Sequence, residues 1–179
     1  MAGNGGRAAW RAMTAGDMDA VVAIADVVHP GFPEDRKVLA EKLALHGDGC
    51  FVLRDTGDDA AIGYLLSHPW SADSAPPLNR LLGRLPEPEV YYIHDIALLP
   101  SARGLRAGER ALALVEAQAR ALGVDRIALV AVNDSGGFWQ RHGFSPVKGP
   151  HWAVKLSSYG ADAAYMTKTL PGGLHDQNY

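Results

Sequence analysis

At 179 residues, with 47% hydrophobic and 21% charged side chains, the chain has the composition of one soluble domain able to bury its own core. A net charge of −3 leaves no dominant basic face, which argues against a nucleic-acid partner, and no apolar run approaches a membrane span. A single cysteine, Cys50, excludes an intrachain disulfide, and the first residues carry no apolar secretory core, so a cytoplasmic protein is expected.

The small, glycine-rich residues 1–9 read as a disordered tail, and Trp10 to Met13 as a short first strand. Thr14, with Asp17 three residues on, has capping-box spacing. It opens a helix on which Met18, Val21, Val22, Ala25 and Val28 share a face, until His29-Pro30-Gly31-Phe32-Pro33 breaks it. A second helix is expected over 34–45, stopped by Gly47-Asp48-Gly49. The apolar runs 50–54 and 61–67, joined by Asp55-Thr56-Gly57-Asp58-Asp59, predict a hairpin. A proline-rich connection, 69–88, follows, with a helical turn or two near 78–85; so long a connection inside a compact domain is usually functional or mobile.

Residues 90–98 predict a third strand, and 109–122 the clearest helix, with Ala111, Leu112, Val115 and Leu122 on one face and Gly123 as its stop. The almost wholly apolar run 127–132 reads as a strand covered on both sides. A short helix at 135–141 and closing strands at 144–147, 154–156 and 163–169 complete a single domain over 10–170, with 171–179 as a flexible tail. The layout is mixed α/β, antiparallel first and crossing over by a helix near the middle.

Between the strand at 90–98 and the helix lies Arg103-Gly104-Leu105-Arg106-Ala107-Gly108. A turn of this composition aims free backbone N–H groups, the positive end of a helix dipole and two guanidinium groups at one spot, which suits a phosphate. It is neither a Walker P-loop nor the dinucleotide fingerprint, and taken alone it reads equally well as a solvated surface loop.

Its neighbours add to it. Arg103, Ala107 and Gly108 sit in the frame of the Gln/Arg-x-x-Gly-x-Gly/Ala turn that opens a helix after a strand in the GNAT superfamily of acyl-CoA-dependent N-acyltransferases, which the chain resembles. Gly104 fits its commoner Arg-Gly-x-Gly-x-Gly form. Arg106 departs from it, standing at the place of the central glycine. Downstream, Asn133 and Phe138-Trp139-Gln140-Arg141-His142-Gly143-Phe144 resemble the family's second signature, Asn…Phe/Leu-Tyr-x-x-x-Gly-Phe. The resemblance implies the GNAT fold, with a mostly antiparallel N-terminal half and a splayed parallel strand pair, 91–98 and 127–132. It implies acetyl-CoA as cosubstrate, with the pantetheine arm between those strands against main-chain groups of Ile96, Ala97 and Leu98. The pyrophosphate would rest on the amides of Leu105, Arg106, Ala107 and Gly108, and Asn133, Phe138 and Trp139 would complete the cofactor site. A main-chain N–H near Ile96 to Leu98 would stabilise the oxyanion as an amine attacks the thioester.

On this resemblance the chain is expected to acetylate a primary amine, either a small amine or a peptide amine, by direct transfer in a ternary complex. An acyl-CoA-binding module with little turnover is the alternative, and a nucleotide- or phosphate-metabolite enzyme a third. His94 is the candidate base, because an amine arrives mostly as ammonium and must lose a proton; the competing reading is a histidine held for packing. Strand alternation puts Tyr92 on the face of His94 and Asp95 on the opposite one, unless a bulge turns Asp95 inward. The family's acidic tyrosine is replaced by Trp139, whose indole N–H is no useful acid. Tyr159 is the candidate acid in its place, or else an ordinary loop tyrosine. His29-Pro30-Gly31-Phe32, Trp70 and His151-Trp152 are the clusters that could shape the acceptor pocket. The scattered histidines form no metal set, no metal is expected, and Cys50 in an apolar strand is unsuited to covalent catalysis. Members of the family commonly dimerise, which leaves a homodimer open.

Overall fold

The computed structural model describes residues 7–172; the tails expected at the two ends fall outside these residues for 1–6 and 173–179. Strand β1 (Ala8–Ala12) begins two residues before Trp10 and leads to helices α1 (Met18–Val28) and α2 (Arg36–Leu45). Then come β2 (Cys50–Asp55), β3 (Ala61–Trp70) and β4 (Val90–Leu98), helix α3 (Ala107–Ala121), β5 (Arg126–Ala131) and helix α4 (Gly136–Arg141). The chain closes with β6 (Ser145–Pro146), helix α5 (Trp152–Lys155) and β7 (Ala164–Thr169). Among the described residues the strands form one mixed sheet in the order β1-β2-β3-β4-β5-β7-β6, and β4–β5 is its parallel pair. No described helix is long and apolar enough to cross a membrane.

Alternation along the strands divides the core into two layers. Leu65, Tyr91, Ile93, Ile127 and Leu129 face α3, whose Ala111, Leu112, Val115 and Ala119 fall on one helical stripe. Val52, Tyr64, Leu66 and Ala97 face α1 and α2 through Val21, Ile24 and Leu39. On that second side, beyond α1, α5 covers Val90, Tyr92 and Ala128, with Trp152 stacked on Tyr165 at 4.2 Å and 12°. Each such fully buried apolar side chain contributes roughly 1.5–3 kcal/mol, so the two layers fix the sheet that carries the site.

Two sequence expectations fail. Residues 78–85 form no helix: Leu82 and Gly83 give their N–H groups to the Glu41 carboxylate of α2, at 2.6 and 2.9 Å, rather than to carbonyls of their own segment. Residues 154–156 are not a strand but the end of α5 and its cap: Trp152 and Leu156, four apart, are buried, while Val154 between them is 78% exposed. That is helical, not alternating, spacing. The closing strand expected over 144–147 shrinks to β6, an edge position that tolerates Pro146.

The start of α1 is fastened as its spacing foretells. The Asp17 carboxylate accepts from Arg11 Nη1 and Nη2 at 2.8 and 2.7 Å and from the Thr14 N–H at 2.8 Å. The Arg11 bonds first, then the Thr14 N–H, hold Asp17 down at about 2 against the opposing effect of burial. A depressed folded-state pKa gives stability that is fully present above the unfolded value, near 3.9, and is lost as pH falls towards 2. Asp17→Asn should therefore cost about 1–2 kcal/mol at neutral pH, discounted for the half-exposed Arg11. Urea unfolding at neutral pH and near pH 2, where the two proteins should converge, checks this.

Candidate active site

Strands β4 and β5 pair at Tyr91–Ile127, Tyr92–Ala128 and Ile93–Leu129 and then part, although β4 runs on to Leu98 and β5 to Ala131. The cause lies on the other edge of β4. Leu66 of β3 opposes Asp95 and the adjacent Ser67 opposes Ile93, so His94 is an extra residue without a partner. Such a bulge bends the strand and breaks alternation. His94 and Asp95 consequently leave the same side of the sheet, and the opposite-face placement of Asp95 gives way to the inward one. Their contacts agree: Asp95 meets Tyr64 and His29, and His94 meets Glu34, all on the α1–α2 side.

The wedge between the strands holds a cavity of about 270 Å³. Ile93, Ile96, Leu129, Val132, Asn133 and Trp139 line its sheet side. His29, Phe32, Glu34, Leu78, His94, Asp95 and Tyr159 line the side towards α1 and the loops. The structure thus brings His94 and Tyr159 to one cavity, with His29 and Phe32 of the expected aromatic clusters. Trp70 and Trp152 pack elsewhere, around Tyr92 and Tyr165, and His151 is exposed.

Within the cavity the histidines and carboxylates are paired. His94 Nε2 lies 3.0 Å from Glu34 Oε1, with side-chain exposures of 1% and 8%. Burial would raise the Glu34 pKa, but the bond and charge of His94, with the Asn79 N–H, hold it below the ordinary carboxylate value. With Nε2 donating to an ionised Glu34, His94 Nδ1 is left as the free acceptor; it is buried without a hydrogen-bond partner. His29 Nε2 stands 2.7 Å from Asp95 Oδ1. Burial there favours neutral imidazole, yet Asp95 outweighs it and raises the His29 pKa. Tyr64 donates to the other Asp95 oxygen. Tyr159 donates to the Pro76 carbonyl at 2.7 Å, and burial followed by the Glu34 charge keeps its phenol protonated well above the usual value. Cys50 is buried and its thiol is pushed up to about 12 by that burial, so it is no nucleophile. Among the described residues no three metal-ligating side chains come together.

The turn 103–108 sits where the sheet opens, directly after β4. Gly104 is left-handed at φ 78°, and so is Arg106 at φ 54° and ψ 30°. A non-glycine residue there costs about 1 kcal/mol. The Arg106 guanidinium is turned to Glu109, its Nε donating to Oε2 at 2.7 Å, while Arg103 is exposed. The first N–H groups of α3, Ala107 and Gly108 among them, have no partner within the helix, and with the helix dipole they present a positive end. Leu105 N makes only a long 3.4 Å bond to Ala102. Ile96, Ala97 and Leu98 pair with Leu65, Tyr64 and Gly63 along one edge of β4; the other edge, past Ile93, faces the gap. These features fit a pantetheine diphosphate.

The two signatures meet physically. A Cβ on Gly108 would come within 3.0 Å of Phe138 Cζ, and Phe138 packs edge-on against Trp139 at 5.0 Å. Gly108→Ala must therefore push Phe138 away from the first turn of α3. The expected result is about a tenfold loss of CoA affinity by calorimetry, with little change in melting temperature.

What sequence reasoning missed is Glu34. It meets His94 across 60 residues, from the loop between α1 and α2, and no local spacing announces such a pair.

A sequence profile of the acetyltransferase (GNAT) family matches residues 19–144. No curated protein matches. Among solved structures, GphF, a GNAT-like decarboxylase in complex with isobutyryl-CoA, superposes with a TM-score of 0.73 at 18% identity, covering 90% of this chain and 98% of that one. Ard1 from Thermoplasma volcanium gives 0.67 at 14%, with 91% and 97% covered. Arabidopsis thaliana Naa50, in complex with the bisubstrate analogue CoA-Ac-MVNAL, gives 0.65 at 16%, with 91% and 99% covered. At these identities the likeness is one of fold.

Proposed function

The chain belongs to the GNAT acetyltransferase family, and from that premise we propose that it is an N-acetyltransferase, moving an acetyl group from acetyl-CoA to a primary amine by direct transfer in a ternary complex. One observation carries the reading: the gap that opens between β4 and β5, just before the turn into α3, holds a cavity lined by the buried His94–Glu34 pair. The CoA-type ligands of the GphF and Naa50 structures lend support.

In this reading the amides of Leu105 to Gly108 and the Arg103 guanidinium hold the diphosphate, and main-chain groups of Ile96 to Leu98 hold the arm. Asn133, Phe138 and Trp139 form its far wall. Glu34 fixes the imidazole of His94 so that Nδ1 takes the proton of the attacking amine, and the same carboxylate then stabilises the imidazolium. A main-chain N–H of residues 96–98 meets the charge that develops on the carbonyl oxygen. The C–N bond forms, the C–S bond breaks, and the proton taken up by His94 can pass to the departing thiolate. Tyr159, whose O–H is given to the Pro76 carbonyl and which burial weakens as an acid, would have to exchange that bond to supply it instead.

The test is twofold. CoA should raise the melting temperature where ATP and NAD do not, and acetyl-CoA should release free thiol when, and only when, an amine is present. Stabilisation by CoA without thiol release from any amine would leave the chain an acyl-CoA-binding module.

A further inference from the structure

The connection between β3 and β4, residues 71–89, is not a loose loop. On one side the Leu78 N–H donates to Ser158 Oγ at 3.0 Å, Tyr159 donates to the Pro76 carbonyl at 2.7 Å, and Lys155 Nζ donates to the Asp73 carbonyl. On the other, Asn79 donates from its N–H to Glu34 at 3.1 Å and accepts the Asp35 N–H at 2.7 Å. Leu82 and Gly83 are tied to Glu41, and Lys42 Nζ reaches the Arg80 carbonyl at 3.4 Å. The segment is thus a strap laid from the 151–159 region to α2, along the side of the cavity towards α1 and the loops, and its own Leu78 is part of the lining.

Under the strap the chemistry is narrow. Val28, Phe32 and Leu78 supply apolar surface. Two carboxylates are in the lining: Asp95 meets His29 and the Tyr64 hydroxyl, and Glu34 meets the His94 ring and the Asn79 main-chain N–H. The nearby Lys42 ammonium is shared between Glu41, at 3.9 Å, and the Arg80 carbonyl. The cavity therefore offers a lining with two carboxylates, Glu34 and Asp95, set in an apolar wall, which suits a positively charged amine better than a neutral one. Its 270 Å³ must also hold the acetyl end of the donor, and lies below the roughly 300 Å³ at which pockets for drug-sized ligands begin.

Resting on the transferase reading above, we infer that the acceptor is a small free amine, one ammonium on a compact apolar body, and not the terminus or lysine side chain of a polypeptide. A peptide amine would have to carry its backbone into the same 270 Å³, beside Leu78 of a strap that is tied down on both sides. The exclusion is steric, so it discriminates more strongly than a missing contact would.

Calorimetric titration of the full chain, with and without CoA, decides this with three probes: phenethylamine, its neutral alcohol counterpart, and a pentapeptide carrying a free α-amine and a lysine. The inference expects phenethylamine to bind at least about tenfold more tightly than the alcohol and the peptide to give no saturable binding. Equal binding of amine and alcohol, peptide binding as tight as that of the amine, or no binding of either amine, overturns it. Thiol release with the same panel is read separately: if phenethylamine binds selectively but no thiol appears, the transfer reading falls and the assignment of the pocket stands.

Discussion

His94→Ala should lower kcat for amine acetylation by about 10²–10⁴-fold, the usual contribution of a positioned general base, while CoA affinity stays within about twofold. The side chain is buried, is held by an ionised Glu34 at 3.0 Å, and lines the cavity from the bulge of β4. In transition-state terms the loss is about 3–5 kcal/mol. A packing role would give a different pattern. If His94 removes a proton from the amine, the loss should shrink for an acceptor that is already uncharged at neutral pH. A loss that is the same for strongly and weakly basic amines, or a melting temperature that falls in proportion to activity, identifies His94 as structural. Glu34→Gln should show a milder form of the same dependence, because the neutral amide orients the ring without stabilising its charge.

The largest effect on stability is expected at Gly49, which sits in the buried turn between α2 and β2. A Cβ built there overlaps the Ser67 carbonyl oxygen and the Tyr91 hydroxyl and stands 2.7 Å from His46 Cδ2. Ser67 belongs to the middle of β3, so its carbonyl cannot retreat without breaking the sheet. The neighbours are also bonded to one another: Ser67 Oγ donates to the Gly49 carbonyl at 2.8 Å, and the Tyr91 hydroxyl is 3.1 Å from both Ser67 Oγ and His46 Nε2. Gly49→Ala should cost about 3–4 kcal/mol and lower the melting temperature by roughly 10 °C. Gly31→Ala, where an added Cβ meets nothing within 4 Å, is the control and should stay within about 0.5 kcal/mol of the parent. Comparable losses for both substitutions would show that the clash is absorbed.

Much of the fold is written in local periodicity. The strand over 90–98, the Thr14–Asp17 cap and most of the α3 stripe are each specified within a few residues and stand where their spacing puts them. Leu122, expected on that stripe, instead follows the last residue of α3 and is exposed, and Ala119 takes the buried place. Family membership was legible for the same reason, since both signatures are short and contiguous. The errors fall where a segment is governed by distant partners. Residues 78–85 take their shape from Glu34 and Glu41, and α5 from the surface it covers on β4, β5 and β7. The cavity was half legible. His94, Tyr159, His29 and Phe32 are residue types that draw attention anywhere, whereas Glu34 is an unremarkable acid until the fold sets it against the imidazole. Asp95 turned on a bulge, and an insertion into one strand is defined only by the register of its neighbour.

That bulge has a consequence for how such a site can be altered. Remove one residue from β4 at position 94 and the strand falls back into step with β3, alternation is restored, and the bend that steers it away from β5 goes with it. The gap between the two strands would be zipped shut by ordinary ladder bonds without any side chain of the turn or the helix being touched. A single surplus amino acid is what separates a continuous sheet from one with a doorway, so chain length in β4 constrains this protein more tightly than the identity of most residues along it.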